Sequence, residues 1–162
     1  MLNRLMICLM LLIGSAAYAQ DDQIIVGGGI GVFHSADRGL SETKMLSLGV
    51  QEDFWGAVKT RGTVGGWLDN SGPPKSNSGF VSGQMGWEVN RDGLIAGAFT
   101  GPAIISNTDS LLGGHFQFMD DLHLGIQDKE GNYIGVIYRH FSSAGLASPN
   151  IGRDIVGLEF RF

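Results

Sequence analysis

The chain has 162 residues, eleven Lys+Arg against sixteen Asp+Glu, and a single cysteine. An acidic balance with no Lys/Arg cluster excludes a nucleic-acid binder, whose affinity rests largely on neutralising phosphates. No Cys/His spacing suits a metal ion, so no metal site is expected.

Residues 1–19 read as a secretory signal. Met1 to Arg4 carries the positive charge, Leu5 to Gly14 is an apolar run, and Ala17-Tyr18-Ala19 supplies an A-x-A cleavage site. The run is too short to span a bilayer as a helix. Residues 20–162 are then expected to form a single domain, long enough to fold alone. Cys8 would leave with the signal, so the mature chain would have no disulfide and depend on its own pairing and burial. Losing Arg4 as well leaves ten Lys+Arg, a net charge of about −6.

The 26 glycines and the absence of any sustained helical period point to an all-β chain. Alternation of apolar and polar residues predicts eight strands, near 23–34, 44–52, 55–69, 78–89, 93–104, 111–128, 132–142 and 154–162. The connections alternate in length. Those after the first, third, fifth and seventh strands are long: "HSADRGLSET", "DNSGPPKSNS", "GPAIISNTDS" and "SSAGLASPNIGR". Those after the second, fourth and sixth are short: "EDFW", "NRDG" and "DKEGN". An even number of strands with loops long at one end and tight at the other predicts an eight-stranded antiparallel transmembrane β-barrel of the outer membrane. The terminal phenylalanine of "GLEFRF" resembles the assembly signal of such barrels.

Parity assigns the faces, because successive side chains alternate across a strand. In the fourth strand Val81, Met85, Trp87 and Val89 oppose Ser82, Gln84 and Glu88; in the third, Val58, Val64 and Leu68 oppose Lys59, Arg61 and Thr63. In the sixth, Leu112, Phe116, Phe118, Leu122, Leu124 and Ile126 oppose His115, Gln117 and His123, and Asp120 is the misfit, which suggests a bulge or bend. A membrane barrel would face the apolar set outward and enclose a packed polar lumen, with Lys59, Arg61, Arg139 and Arg161 neutralising Glu88 and Glu159. His115 and His123 would point into that lumen, and His34 would lie in the first long loop.

The last two strands break the rule. Arg139, Glu159 and Arg161 mark the lumen, which sends His140, Ser142 and Asp154 outward, where apolar side chains belong. Side chains two apart on a strand, or diagonal across an antiparallel pair, are about 7 Å apart at the backbone. Serine, imidazole and carboxylate at that separation are the parts of a nucleophilic triad: Ser142 attacks, His140 takes its proton, Asp154 fixes the imidazole tautomer. Ser143 has the wrong parity for the role. The plainer reading is that these groups only hydrogen-bond headgroups or water at a strand end.

His140-Phe141-Ser142, with Ala144, Pro149-Asn150, Gly152 and Asp154, resembles the H-x-S-N-A … P-N-x-G-x-E segment of the lipid A 3-O-deacylases of the PagL type. The stretch "LGGHFQFMDDLHLGI" is also similar to the strand preceding that segment in the family, and the clear match runs from Leu112 to Phe162. The resemblance implies an outer-membrane serine esterase that removes the 3-position acyl chain from lipid A in the outer leaflet without a cofactor. It assigns His140 as base, Ser142 as nucleophile, and Asn150 with the backbone amide near Ala144 as oxyanion donors. Its partners would be lipopolysaccharide and the outer membrane, and a homodimer is compatible with it. Two positions depart from the family: Asp154 stands for the usual glutamate, and Ser143 for the asparagine after the nucleophile. The rival expectations are a noncatalytic small outer-membrane barrel, adhesive or membrane-structural, and a soluble lipocalin-like carrier.

Overall fold

A computed structural model describes residues 22–32, 43–69, 77–109 and 111–162. The expected signal segment and His34 lie outside these residues. Eight strands follow in order: β1 (Gln23–Val32), β2 (Lys44–Trp55), β3 (Val58–Leu68), β4 (Ser78–Arg91), β5 (Leu94–Ile105), β6 (Phe116–Gln127), β7 (Tyr133–Ser142) and β8 (Arg153–Arg161). Each pairs antiparallel with its sequence neighbours, and β1 pairs with β8, closing the barrel. Closure removes the free edges that an open sheet would present.

Element boundaries moved where the turn chemistry was subtle. "EDFW" belongs to β2, whose turn is Gly56-Ala57, and an irregularity between Asp53 and Trp55 shifts the register there. β5 extends through Pro102 to Ile105, and β6 starts only at Phe116.

The apolar face is the outer one. Val26, Leu46, Val81, Met85, Leu94, Ile104, Leu122, Leu124, Ile126, Val136 and Leu158 are all exposed, a continuous greasy wall. Soluble monomers rarely show an apolar patch beyond a few hundred Å². A lipocalin-like carrier has the opposite arrangement, with its apolar side chains inside. Phe54, Trp55 and Trp87 crowd the short-turn end of the wall, where a membrane barrel places its aromatic girdle.

The lumen is divided in two. Toward the short turns it is charged, as expected: Arg61 meets Glu159 at 3.0 Å, Arg161 meets Glu159 at 2.8 Å and Glu88 at 2.5 Å, and His123 meets Glu88 at 2.9 Å. Lys59 pairs with Asp53 and also meets Glu88 at 3.9 Å, whereas Arg139 pairs with Asp121, at 2.7 Å from both carboxylate oxygens, rather than with Glu88 or Glu159. Toward the long loops the lumen is apolar, correcting the expectation of a polar interior throughout. Met45, Trp67, Phe80, Ile105, Leu112, Met119, Phe141 and Ile155 pack there as one cluster. Leu112 thus faces inward from the segment before β6, not outward from a strand. Arg153 lies beside the cluster, 5.2 Å over the Trp67 ring, and pairs with Asp69 at 2.9 Å and Asp109 at 2.7 Å. A lumen filled in this way braces the wall from inside, so outward groups are held by rigid strands.

Candidate active site

Phe141 sets the direction of its neighbours. Its ring is fully buried, with centroids 5.3 Å from Trp67 and 5.1 Å from Phe80. Because side chains alternate along β7, anchoring Phe141 inside forces His140 and Ser142 onto the outer wall. The Arg139–Asp121 pair repeats the constraint two residues earlier.

Register then brings the acid to the base. His140 lies directly opposite Asp154 across the β7–β8 pair, and its Nδ1–H donates to Asp154 Oδ1 at 2.6 Å. An acid one methylene shorter than glutamate therefore reaches the imidazole, because directly opposed residues have Cβ atoms about 5 Å apart. The Tyr138 hydroxyl donates to the same Oδ1 at 2.5 Å. Two donors fix that carboxylate, and its hold on Nδ1–H leaves the Nε2 lone pair as the basic site. The pair is partly open to the exterior, with side-chain exposures of 29% for His140 and 22% for Asp154.

Ser142 is on the same face, opposite Phe118, and its hydroxyl makes no hydrogen bond among the described residues. Nucleophile and base are often apart before substrate binds, and rotation about one serine bond changes the hydroxyl direction. Ser143, by contrast, is fully buried; its Oγ donates to the Ala147 carbonyl at 3.1 Å, bracing the loop.

The Ser143 N–H donates to Asn150 Oδ1 at 2.7 Å. That contact assigns the carboxamide oxygen and leaves the Asn150 amino group as a free-facing donor on an exposed side chain. Ala144 and Gly145 both have positive φ, 50° and 82°, so the chain reverses sharply just after Ser142. The loop is stitched down through Leu111–Gly113: Leu112 bridges Asn150, Ile151 N–H donates to Leu111 O at 3.1 Å, and Gly113 N–H to Pro149 O at 2.8 Å. Gly152 has φ 89° and lies against the imidazole; a Cβ there would come within 2.7 Å of His140 Cε1.

The other two described histidines fall apart from this group. His123 is buried in the lumen, where sequence parity places it. His115 is not: it precedes β6, is exposed, and its Nδ1 meets the Ile105 carbonyl at 2.9 Å. Parity failed there because the strand does not extend that far back.

The sequence reading missed three outward residues near His140. Tyr138 has the parity of His140 and an apolar ring, so it passed as wall. Parity makes Asp120 a misfit that suggests a bulge or bend, yet β6 pairs through it without a shift, and it faces outward directly opposite His140. Thr100, opposite Asp120 on β5, donates to its Oδ1 at 2.6 Å. The signal for both was Asp120 itself, the one acid in an apolar set.

The family model described as lipid A 3-O-deacylase (PagL) matches residues 44–162. A curated protein, lipid A deacylase PagL of Bordetella bronchiseptica, is 33% identical over 116 residues, covering 67% of this chain and 64% of that protein. The chain thus spans a little under two thirds of the curated relative it matches. Among solved structures, that titled the outer membrane enzyme PagL aligns with a TM-score of 0.58 and 20% identity, over 86% of this chain and 98% of that one. The Yersinia pestis outer membrane protein Ail aligns with a TM-score of 0.53 and 13% identity, over 87% and 98%. At those identities the two structures speak for the barrel fold alone.

Proposed function

Since the chain belongs to the lipid A 3-O-deacylase (PagL) family, we propose that it is an outer-membrane serine esterase acting on the 3-O-linked acyl chain of lipid A. One observation carries the catalytic reading most: the 2.6 Å bond from His140 Nδ1 to Asp154 Oδ1 on the exterior of an apolar-walled barrel, one strand step from Ser142. A polar dyad on such a wall costs stability, and a substrate that is itself in the lipid phase gives it a use there.

In this reading the long-loop end faces outward and the site meets the boundary between acyl chains and sugar. A bilayer lipid reaches it by lateral diffusion. Ser142 Oγ attacks the ester carbonyl while His140 Nε2 takes the hydroxyl proton. The oxyanion is held by the Asn150 amino group and the Ala144 N–H. The tetrahedral adduct expels the sugar oxygen, which takes the proton from His140, leaving an acyl-serine. Water, deprotonated by His140, then releases the fatty acid. Asp154 keeps the imidazole in the productive tautomer and stabilises its cationic form.

Mass spectrometry of lipid A from cells with and without the protein tests this. Expression should remove one acyl chain, and Ser142→Ala or His140→Ala should abolish the loss. Unchanged lipid A in cells carrying the folded barrel would leave a noncatalytic membrane protein instead.

A further inference from the structure

We propose that Asp120 and Thr100 form a recognition notch beside the dyad that accepts a hydrogen-bond donor, a hydroxyl or amide N–H, of the lipid substrate. The proposal rests on the esterase reading for its substrate, and on separate residues for its evidence.

Asp120 shares the outer face of β6 with Phe118, Leu122, Leu124 and Ile126. A bulge would have explained a carboxylate in that company by swinging it away, but the pairing of β6 with both β5 and β7 runs through Asp120 in unbroken register. The same register aligns four polar side chains at one level across four strands: Thr100 opposite Asp120, Asp120 opposite His140, His140 opposite Asp154. Asp120 therefore flanks the imidazole on the side away from Asp154.

The two acids are used differently. Asp154 Oδ1 already receives the His140 and Tyr138 donors. Asp120 receives one, from Thr100 Oγ1 at 2.6 Å, and has no ion-pair partner among the described residues. An ionised carboxylate can accept about four hydrogen bonds. On an apolar wall, unspent acceptor capacity is a cost that a bound donor would relieve. An ester with its carbonyl over Ser142 would set the neighbouring groups of its headgroup within a few ångströms of Asp120. Sugar hydroxyls and amide N–H groups are donors and fit; the phosphate and donor-free glycerol esters of an ordinary phospholipid meet a bare negative charge. Sites built to bond a polar group reject analogues that lack it far more strongly than apolar pockets discriminate by size.

The test uses the full chain in detergent micelles with three esters: an acylated sugar bearing a free hydroxyl, one bearing only an amide N–H, and an aryl ester of the same fatty acid bearing neither. The quantity read is kcat/KM for each sugar ester divided by that for the aryl ester. Asp120→Ala should lower this ratio roughly 10- to 100-fold, mainly through KM, the size expected for a hydrogen bond to a charged group. Asp120→Asn, which keeps an acceptor, should recover part of it, and Thr100→Val should lower it less. The arm that loses more identifies the donor. An unchanged ratio, whether activity falls equally on all esters or on none, would overturn the notch and leave Asp120 as a support for His140 or for the wall. Binding of the sugar ester to the Ser142→Ala chain gives a second reading that needs no turnover. If the wild-type chain hydrolyses no ester, the esterase reading fails, while weaker binding upon adding Asp120→Ala would still uphold the notch and equal binding would sink it.

Discussion

Gly152 stands against the imidazole of His140: a methyl group at its Cα would approach Cε1 to 2.7 Å and Nε2 to 3.3 Å. Its φ of 89° is one that residues with a side chain rarely adopt. Gly152→Ala should therefore turn the ring and strain the loop together. A displacement near 1 Å at a reacting group costs about 100-fold in rate. Hydrolysis should fall by roughly 10- to 100-fold while the barrel keeps its heat-modifiable mobility in gel electrophoresis. Full activity in the variant would mean the ring position is not set by this contact.

In the proposed triad the Asp154 carboxylate selects the tautomer, and its substitutions separate charge from shape. Asp154→Asn puts a neutral amide there whose N–H can donate to Nδ1 and hold the unproductive tautomer, and activity should fall about 10³- to 10⁴-fold, as for other triads that lose the acid. Asp154→Glu lengthens the arm by one methylene on a partly open face and should stay within about 10-fold of wild type. Steady-state rates on one lipid ester decide it; an isosteric Asp154→Asn variant as active as wild type would show that the carboxylate charge is not needed there.

Tyr138→Phe removes one of the two donors to Asp154 Oδ1 without emptying the wall. The loosened carboxylate should cost roughly 5- to 20-fold in kcat, from one charge-assisted hydrogen bond partly replaced by water. No change in kcat would assign the Tyr138 hydroxyl to the lipid interface alone.

Phe141→Ala should act on stability first. Its ring fills the space between Trp67 and Phe80, and emptying such a site costs about 3–5 kcal/mol. Urea unfolding from lipid vesicles should show that loss, with activity falling as the two flanking residues lose their fixed direction. The milder Phe141→Leu should recover most of both.

Arg139→Ala leaves Asp121 charged and buried without its bidentate partner, a change worth about 3–5 kcal/mol of destabilisation. Adding Asp121→Asn should return a large part of it. A single variant as stable as wild type would show that Arg61, 3.5 Å from Asp121, suffices alone.

By itself the sequence determined the barrel, the strand number and the outward direction of His140, Ser142 and Asp154, because side-chain parity is a local property of an extended chain. It also placed His123 and the Arg61, Glu88, Glu159 and Arg161 charges inside. Parity carries no further than the strand that generates it, which is why His115 and Leu112, both lying before β6, were assigned to the wrong surroundings. Only the tertiary structure decided which residues stand opposite one another. Register is fixed jointly by every turn around a closed sheet, and it is register that sets Asp154 against His140, turns Tyr138 onto the same carboxylate and makes Asp120 a neighbour of the site. The apolar upper lumen is likewise a collective outcome: Trp67, Phe80 and Phe141 come from three strands, and no single strand reveals that their rings meet.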